Sequence, residues 1–118
     1  AALRRAASPA GGGASETFES GELRIDLVRR VVHRGGREVH LTPTEFRLLA
    51  TLVRNAGQVV THRRLLHEVW GANYQEHTHY LRVYMAQLRH KLERDPTRPR
   101  LLATEPGVGY RLREATDD

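Results

Sequence analysis

The hydrophobic period of the chain changes at Thr42-Pro43-Thr44-Glu45, and no other feature constrains the fold as tightly. Before this point apolar residues alternate. Leu23, Ile25 and Leu27 share one face of an extended segment, and Val31-Val32-His33 and Glu38-Val39-His40-Leu41 lie on either side of Gly35-Gly36. That pattern is one of short antiparallel strands with a hairpin between the second and third. After it, Phe46, Leu49, Ala50 and Val53 recur at helical spacing. The four residues between are a helix start: Thr42 caps, Pro43 takes the first helical position, where an N–H is not needed, and Glu45 reaches back to complete a capping box. A sheet therefore precedes a set of helices, and the fold class is α+β.

The rest of the chain extends this order. The first helix ends near Asn55-Ala56-Gly57, with Gly57 as a left-handed cap, and Val59-Val60 is a brief extended piece. Thr61 caps a second helix whose inner face is Leu65, Leu66, Val69 and Trp70, and Gly71 ends it. A loop over 71–76 leads to a third helix over 77–92, with Thr78 its candidate cap, stopped by Asp95-Pro96-Thr97-Arg98-Pro99. Leu101–Thr104 and Tyr110–Arg113 are the arms of a closing hairpin around Glu105-Pro106-Gly107-Val108-Gly109. Helices two and three with their connecting loop resemble a helix-turn-helix unit, and the trailing hairpin would be its wing. Residues 1–20, rich in Ala, Gly, Ser and Pro, read as a flexible linker. The folded domain spans 21–113, and 114–118 is a polar tail.

The 118 residues suffice for one domain with a modest core, and no apolar run approaches a membrane span or a signal-peptide core. A net charge of +5 and a pI near 10.4 favour a polyanionic partner. Lys91 is the sole lysine, so nearly all positive charge is arginine. The planar guanidinium suits phosphates and guanine, although a GC-rich genome would produce the same bias. The absence of cysteine excludes disulfides, thiolate nucleophiles and Cys-based zinc sites. A cytoplasmic location fits.

The third helix is the main clue to a ligand. His77–Leu92 contains no acidic residue. At about 100° per residue, Leu81, Met85, Leu88 and Leu92 form one stripe, flanked by Tyr84, that faces the core. The opposite side carries His79, Val83, Ala86, Gln87 and His90, with Arg82 and Arg89 on one shoulder and Tyr80 and Lys91 on the other. A face without Asp or Glu can approach phosphates closely. Gln87 is suited to adenine, Arg89 to guanine, and Val83 or Ala86 to a thymine methyl. In the hairpin, Arg111 and Arg113 alternate with Leu112 and point to one side, behind a tip small enough for a minor groove. Tyr110 is either a core aromatic or a phosphate contact. The bland alternative is a solvated helix face that happens to lack acids.

Nothing points to catalysis or a cofactor. His77 and His79, in Glu76-His77-Thr78-His79, are two apart and leave a helix in different directions. There is no HExxH motif and no paired catalytic carboxylates. The chain is expected to be neither an enzyme nor a metal-binding protein.

Taken together, LTPTEFRLLATLVRNAGQVVTHRRLLHEVW, the helix end QLRHKLERDP and the hairpin GVGYRL resemble the OmpR/PhoB-type effector domain of bacterial two-component response regulators. The likeness covers about residues 21–113. Within the family, EHTHYLRVYMAQLRHKLE followed by the Glu105-Pro106-Gly107-Val108-Gly109-Tyr110 wing resembles the regulators of the operon for high-affinity potassium uptake. The resemblance implies a winged helix-turn-helix with a four-stranded N-terminal antiparallel sheet, a three-helix core and a C-terminal β-hairpin wing. It implies sequence-specific binding of double-stranded DNA, with helix 77–92 in the major groove and wing 105–111 in the minor groove. His79, Tyr84, Ala86, Gln87 and Arg89 fall where relatives touch DNA, with Arg82 beside them, and Arg111 falls at the wing arginine. Thr61, Arg63 and Trp70 lie near where relatives meet phosphates, and Tyr80 and Tyr110 are further phosphate candidates. Loop 71–77 is where relatives can face RNA polymerase. Residues 1–7 would be the helical tail of a receiver domain joined in cis through the linker. The isolated domain would be monomeric and pair on DNA. The chain departs from many relatives at Ala86 and Gln87, where they carry paired arginines, and at Pro106, where they carry an arginine. Their base contacts and consensus sites therefore do not transfer. The competing expectation is a winged-helix protein-interaction module without specific DNA binding.

Overall fold

A computed structural model describes residues 3–5, 16–74 and 76–113. Among them the order is β1 (Leu3–Arg5), β2 (Glu16–Ser20), β3 (Leu23–Asp26), β4 (Val31–Arg34), β5 (Arg37–Val39), α1 (Pro43–Arg54), β6 (Val59–Thr61), α2 (His62–Trp70), a 3-10 turn (Ala72–Tyr74), α3 (Thr78–Leu92), β7 (Leu102–Glu105) and β8 (Gly109–Leu112). The N-terminal strands form an antiparallel meander, β1-β2-β3-β4-β5, and the C-terminal ones a three-stranded sheet ordered β6-β8-β7.

Two expectations about the N-terminus are corrected. The segment read as linker contains β2, which pairs with β3 through Phe18↔Ile25 and Glu19↔Arg24. Phe18 is fully buried, so the folded unit begins before residue 21. Leu3–Arg5, read as the end of a helix, is instead a strand paired with β2, and the sheet has five strands rather than four. The remainder of the expected linker and the tail 114–118 lie outside the described residues.

Registers across the sheet align Phe18, Ile25, Val32 and Val39 in one cross-strand row. This row packs into the same core as the helices. The β4–β5 turn is Gly35-Gly36 with φ of 58° and 82°, the paired positive values that a two-residue hairpin of the right twist requires.

At α1 the capping box is present in full. Thr42 Oγ1 accepts the Glu45 N–H at 3.2 Å and Glu45 Oε1 accepts the Thr42 N–H at 3.0 Å. The helix is more enclosed than its expected stripe, since Leu48 and Leu52 are buried along with Phe46, Leu49, Ala50 and Val53. It is the central helix, packed on α2, α3 and β8. Thr61 caps α2 through its Oγ1, as expected. Thr78 does not cap α3: it lies inside the helix, and the cap position is His77, which makes no side-chain capping bond.

The closing hairpin is also larger than expected. Val59–Thr61 adds to it as a third strand, with Val60 opposite Tyr110 and Thr61 opposite Gly109. Gly109 is required by this pairing, because a Cβ there would stand 1.9 Å from the Val60 carbonyl oxygen. The tip is a four-residue turn closed by Val108 N–H to Glu105 O, with Pro106 second and Gly107 at φ 77° third, the arrangement of a type II turn.

Candidate nucleic-acid interface

The third helix presents the two faces its phasing predicts. Leu81, Met85, Leu88 and Leu92 are buried, and His79, Arg82, Val83, Ala86, Gln87 and His90 are exposed. Val83 is 52% exposed at mid-helix, an apolar side chain the core does not need. The small Ala86 beside it leaves the backbone accessible. No acidic residue interrupts this face. Arg82 and, on α2, Arg63 are exposed with no ion pair among the described residues.

Other expected contacts are placed differently. Tyr84, Tyr80 and Trp70 are half-buried and pack on one another, with ring centroids 5.3 Å apart for Trp70–Tyr84 and 5.8 Å for Trp70–Tyr80. Tyr74 and His77 from the α2–α3 loop continue this aromatic group, and His79 sets its edge on Tyr80. These rings hold the start of α3 against the end of α2. Tyr110 is 5% exposed, as a core aromatic is, and it makes a T-shaped contact with His62. Lys91 is not on an open shoulder. Its Nζ donates to His40 O and to Glu45 Oε1.

Arg89 is also turned inward. Its Nε and Nη2 donate to Leu102 O, and Nη2 donates to Thr104 Oγ1, all within 3.0 Å. In this arrangement the fork expected to meet guanine is spent on β7. Arg111 lies on β8 with its Nη2 2.9 Å from Glu105 Oε2, so the wing arginine carries its own counter-ion. Its Nε is buried without a hydrogen-bond partner. Arg113 is exposed, and its N–H donates to Leu101 O.

One residue the sequence reading missed organises this region. Glu93 is 3% exposed, and its carboxylate accepts the backbone N–H groups of Arg100, Leu101 and Leu102. A signal for it existed: an acid immediately after a helix end opposes the helix dipole and needs a local reason. Nearby, Arg94 hydrogen-bonds and attracts Glu22, which holds the Glu22 carboxyl below the usual carboxylate range. Hydrogen bonds from the Thr97 side chain and backbone do the same for Asp95. Among the described residues no group of three or more His, Cys, Asp or Glu could hold a metal ion, and no helix is long and apolar enough to cross a membrane.

The architecture and the sequence agree with known proteins. Residues 36–112 match the family "Transcriptional regulatory protein, C terminal". The chain is 62% identical over 91 residues to the KDP operon transcriptional regulatory protein KdpE of Escherichia coli, covering 77% of this chain and 40% of that protein. It is 53% identical over 95 residues to KdpE of Mycobacterium tuberculosis, covering 80% and 42%. The chain thus spans about two-fifths of the length of these relatives. Among solved structures it is similar to the DNA-binding domain of RstA from Klebsiella pneumoniae in complex with the RstA box, with a TM-score of 0.74, 33% identity and coverage of 82% and 96%. It is also similar to the DNA-binding domain of CpxR from E. coli, with a TM-score of 0.71, 32% identity and coverage of 85% and 98%. The chain belongs to the OmpR/PhoB family of response-regulator DNA-binding domains, with the winged helix-turn-helix fold of that family.

Proposed function

We propose that this domain binds a specific duplex DNA site, with α3 in the major groove and the wing over 105–111 at the adjacent minor groove. The observation that carries this reading is the composition of the exposed α3 face: His79, Arg82, Val83, Ala86, Gln87 and His90, with no acid among them. Gln87 pairs with adenine, Val83 and Ala86 meet thymine methyls, and His79 lies at the entry to the groove. Arg82 and Arg63 neutralise phosphates, and Arg111 enters the minor groove once it leaves Glu105. Thr61, Trp70, Tyr80, Tyr84 and Tyr110 support the reading surface more than they touch DNA.

In the whole protein the domain would be the effector end of a two-component response regulator acting in the cytoplasm. A receiver domain in cis would control pairing on DNA, and loop 71–77 would face RNA polymerase. The likeness to the KDP operon regulators favours an equivalent operon, for potassium uptake, as the target. Selection from a random duplex library tests this. A single enriched motif that recurs in the promoter of a potassium-transport operon is the expected result. Enrichment of an unrelated motif would remove the operon assignment, and failure to enrich any motif would favour a protein-interaction module.

A further inference from the structure

We propose that Arg89 acts on DNA through the wing and not through a base. Together with Glu93, the cap residue immediately after the same helix, it forms a clasp that fixes the hairpin relative to α3, which makes Arg89 a positioning residue for Arg111. The inference rests on the DNA-binding reading above.

The geometry is specific. A guanidinium offers two forks of paired donors, Nε with Nη2 and Nη1 with Nη2. Both need Nη2, and here Nη2 donates to Leu102 O and to Thr104 Oγ1, each at 2.7 Å. A bidentate contact with guanine would require these bonds to break. Glu93 lies four residues on, so it leaves the helix on the same flank. It accepts the Leu102 N–H at 2.7 Å while Arg89 takes the Leu102 carbonyl. Leu102 is therefore held at both its backbone groups by opposite charges from one helix, through the short, charge-assisted bonds that impose the most geometry.

The held residue is next to the functional one. Leu102 is followed by Ala103, whose cross-strand partner is Arg111. The Arg89 guanidinium also lies 5.8 Å from the ring centroid of Tyr110, the residue before Arg111. A rotation of α3 is in this way transmitted to the strand that carries the wing arginine. The clasp also explains why an acid occupies the negative end of the α3 dipole, where a cation is otherwise favoured.

The test is a double-mutant cycle on the selected duplex, using Arg89→Ala, Arg89→Lys and Thr104→Val, each alone and with Arg111→Ala. Amide hydrogen exchange is followed in the free proteins. Arg89→Ala is expected to weaken binding about tenfold, within the range of one lost specific contact, with little further loss in the Arg111→Ala background. Arg89→Lys should behave as Arg89→Ala, because it lacks the fork. Thr104→Val, which removes an exposed hydroxyl acceptor, should show the same non-additivity at smaller size, and it carries the test if Arg89→Ala folds poorly. Amides of 102–105 and 109–112 should exchange faster in the variants while those of α1 do not change. Additive losses, a preference relaxed at one major-groove base pair, or full affinity despite a loosened wing would each overturn the proposal. If the wild-type protein binds no duplex, it is the DNA-binding reading that fails. The exchange data then decide the clasp alone, and unchanged wing exchange would overturn it.

Discussion

Lys91 Nζ stands 2.6 Å from Glu45 Oε1, so the last turn of α3 is ion-paired to the first turn of α1. Glu45 is 2% exposed and also closes the capping box on Thr42. The sole lysine of this arginine-rich chain therefore ties α3 to the core. Lys91→Met should leave the buried carboxylate short of a partner and cost about 1–3 kcal/mol in denaturant unfolding. It should leave the salt dependence of DNA binding unchanged, because Lys91 is committed to the core. A reduced salt slope with intact stability would show the opposite division of roles.

Glu105 restrains the wing. Its carboxylate pairs with Arg111 across the hairpin, and in the proposed binding mode DNA would have to displace it. Glu105→Gln should strengthen binding by about threefold to tenfold and steepen the log–log salt slope by about 1, the effect of one additional released counterion. Titration of the two proteins against one duplex at several salt concentrations measures both quantities. Weaker binding by the variant would mean that the pair positions Arg111 and does not hold it back.

Gly109 allows β6 and β8 to approach. With the Val60 oxygen 1.9 Å from where a Cβ would stand, Gly109→Ala must push the strands apart. The expected cost is about 1–3 kcal/mol, typical of overpacking, with hydrogen exchange accelerated first at Val59–Thr61. A melting temperature equal to that of the parent would contradict the β6–β8 register.

Much of this was legible in the residues. The capping box at Thr42 and Glu45, the Gly35-Gly36 turn and the Leu81-Met85-Leu88-Leu92 stripe are local patterns, and each is present in the structure. What escaped depends on partners distant in sequence. Phe18 is a single aromatic in an Ala/Gly/Ser-rich segment, and only its pairing with Ile25 reveals a strand. Val59-Val60 is too short to show that it joins β8, and the close packing at Gly109 follows from that pairing. Helical phasing places Arg89 and Lys91 near the surface. Whether such long cations reach solvent or fold back depends on acceptors 13 and 46 residues away. The exposed and buried faces of α3, set by phasing, were therefore readable, and the charge pairing around it was not.

Acid should loosen the junction between the N-terminal sheet and the end of α3. Arg94 holds the Glu22 carboxyl below its ordinary value, and Thr97 does so for Asp95. A carboxyl whose value is lowered on folding contributes stability that is full above its unfolded value. That stability is lost as pH falls through the folded one. Thermal stability should therefore decline as pH falls below the ordinary carboxylate range. Glu22→Gln should flatten that decline by an amount equal to its own loss of stability at neutral pH, and both should be small because Glu22 and Arg94 are exposed. An acid limb as steep in Glu22→Gln as in the parent would assign the loss to other carboxylates.

The central claim is that an acid-free helix face and an arginine-bearing wing meet the phosphates of duplex DNA. Its most direct test is the slope of log affinity against log salt for the wild-type domain on its selected duplex. With Arg63 and Arg82 each neutralising a phosphate, at about 0.9 per contact, and Arg111 partly offset by Glu105, the account predicts a slope of about −2 or steeper. A slope near zero would contradict it.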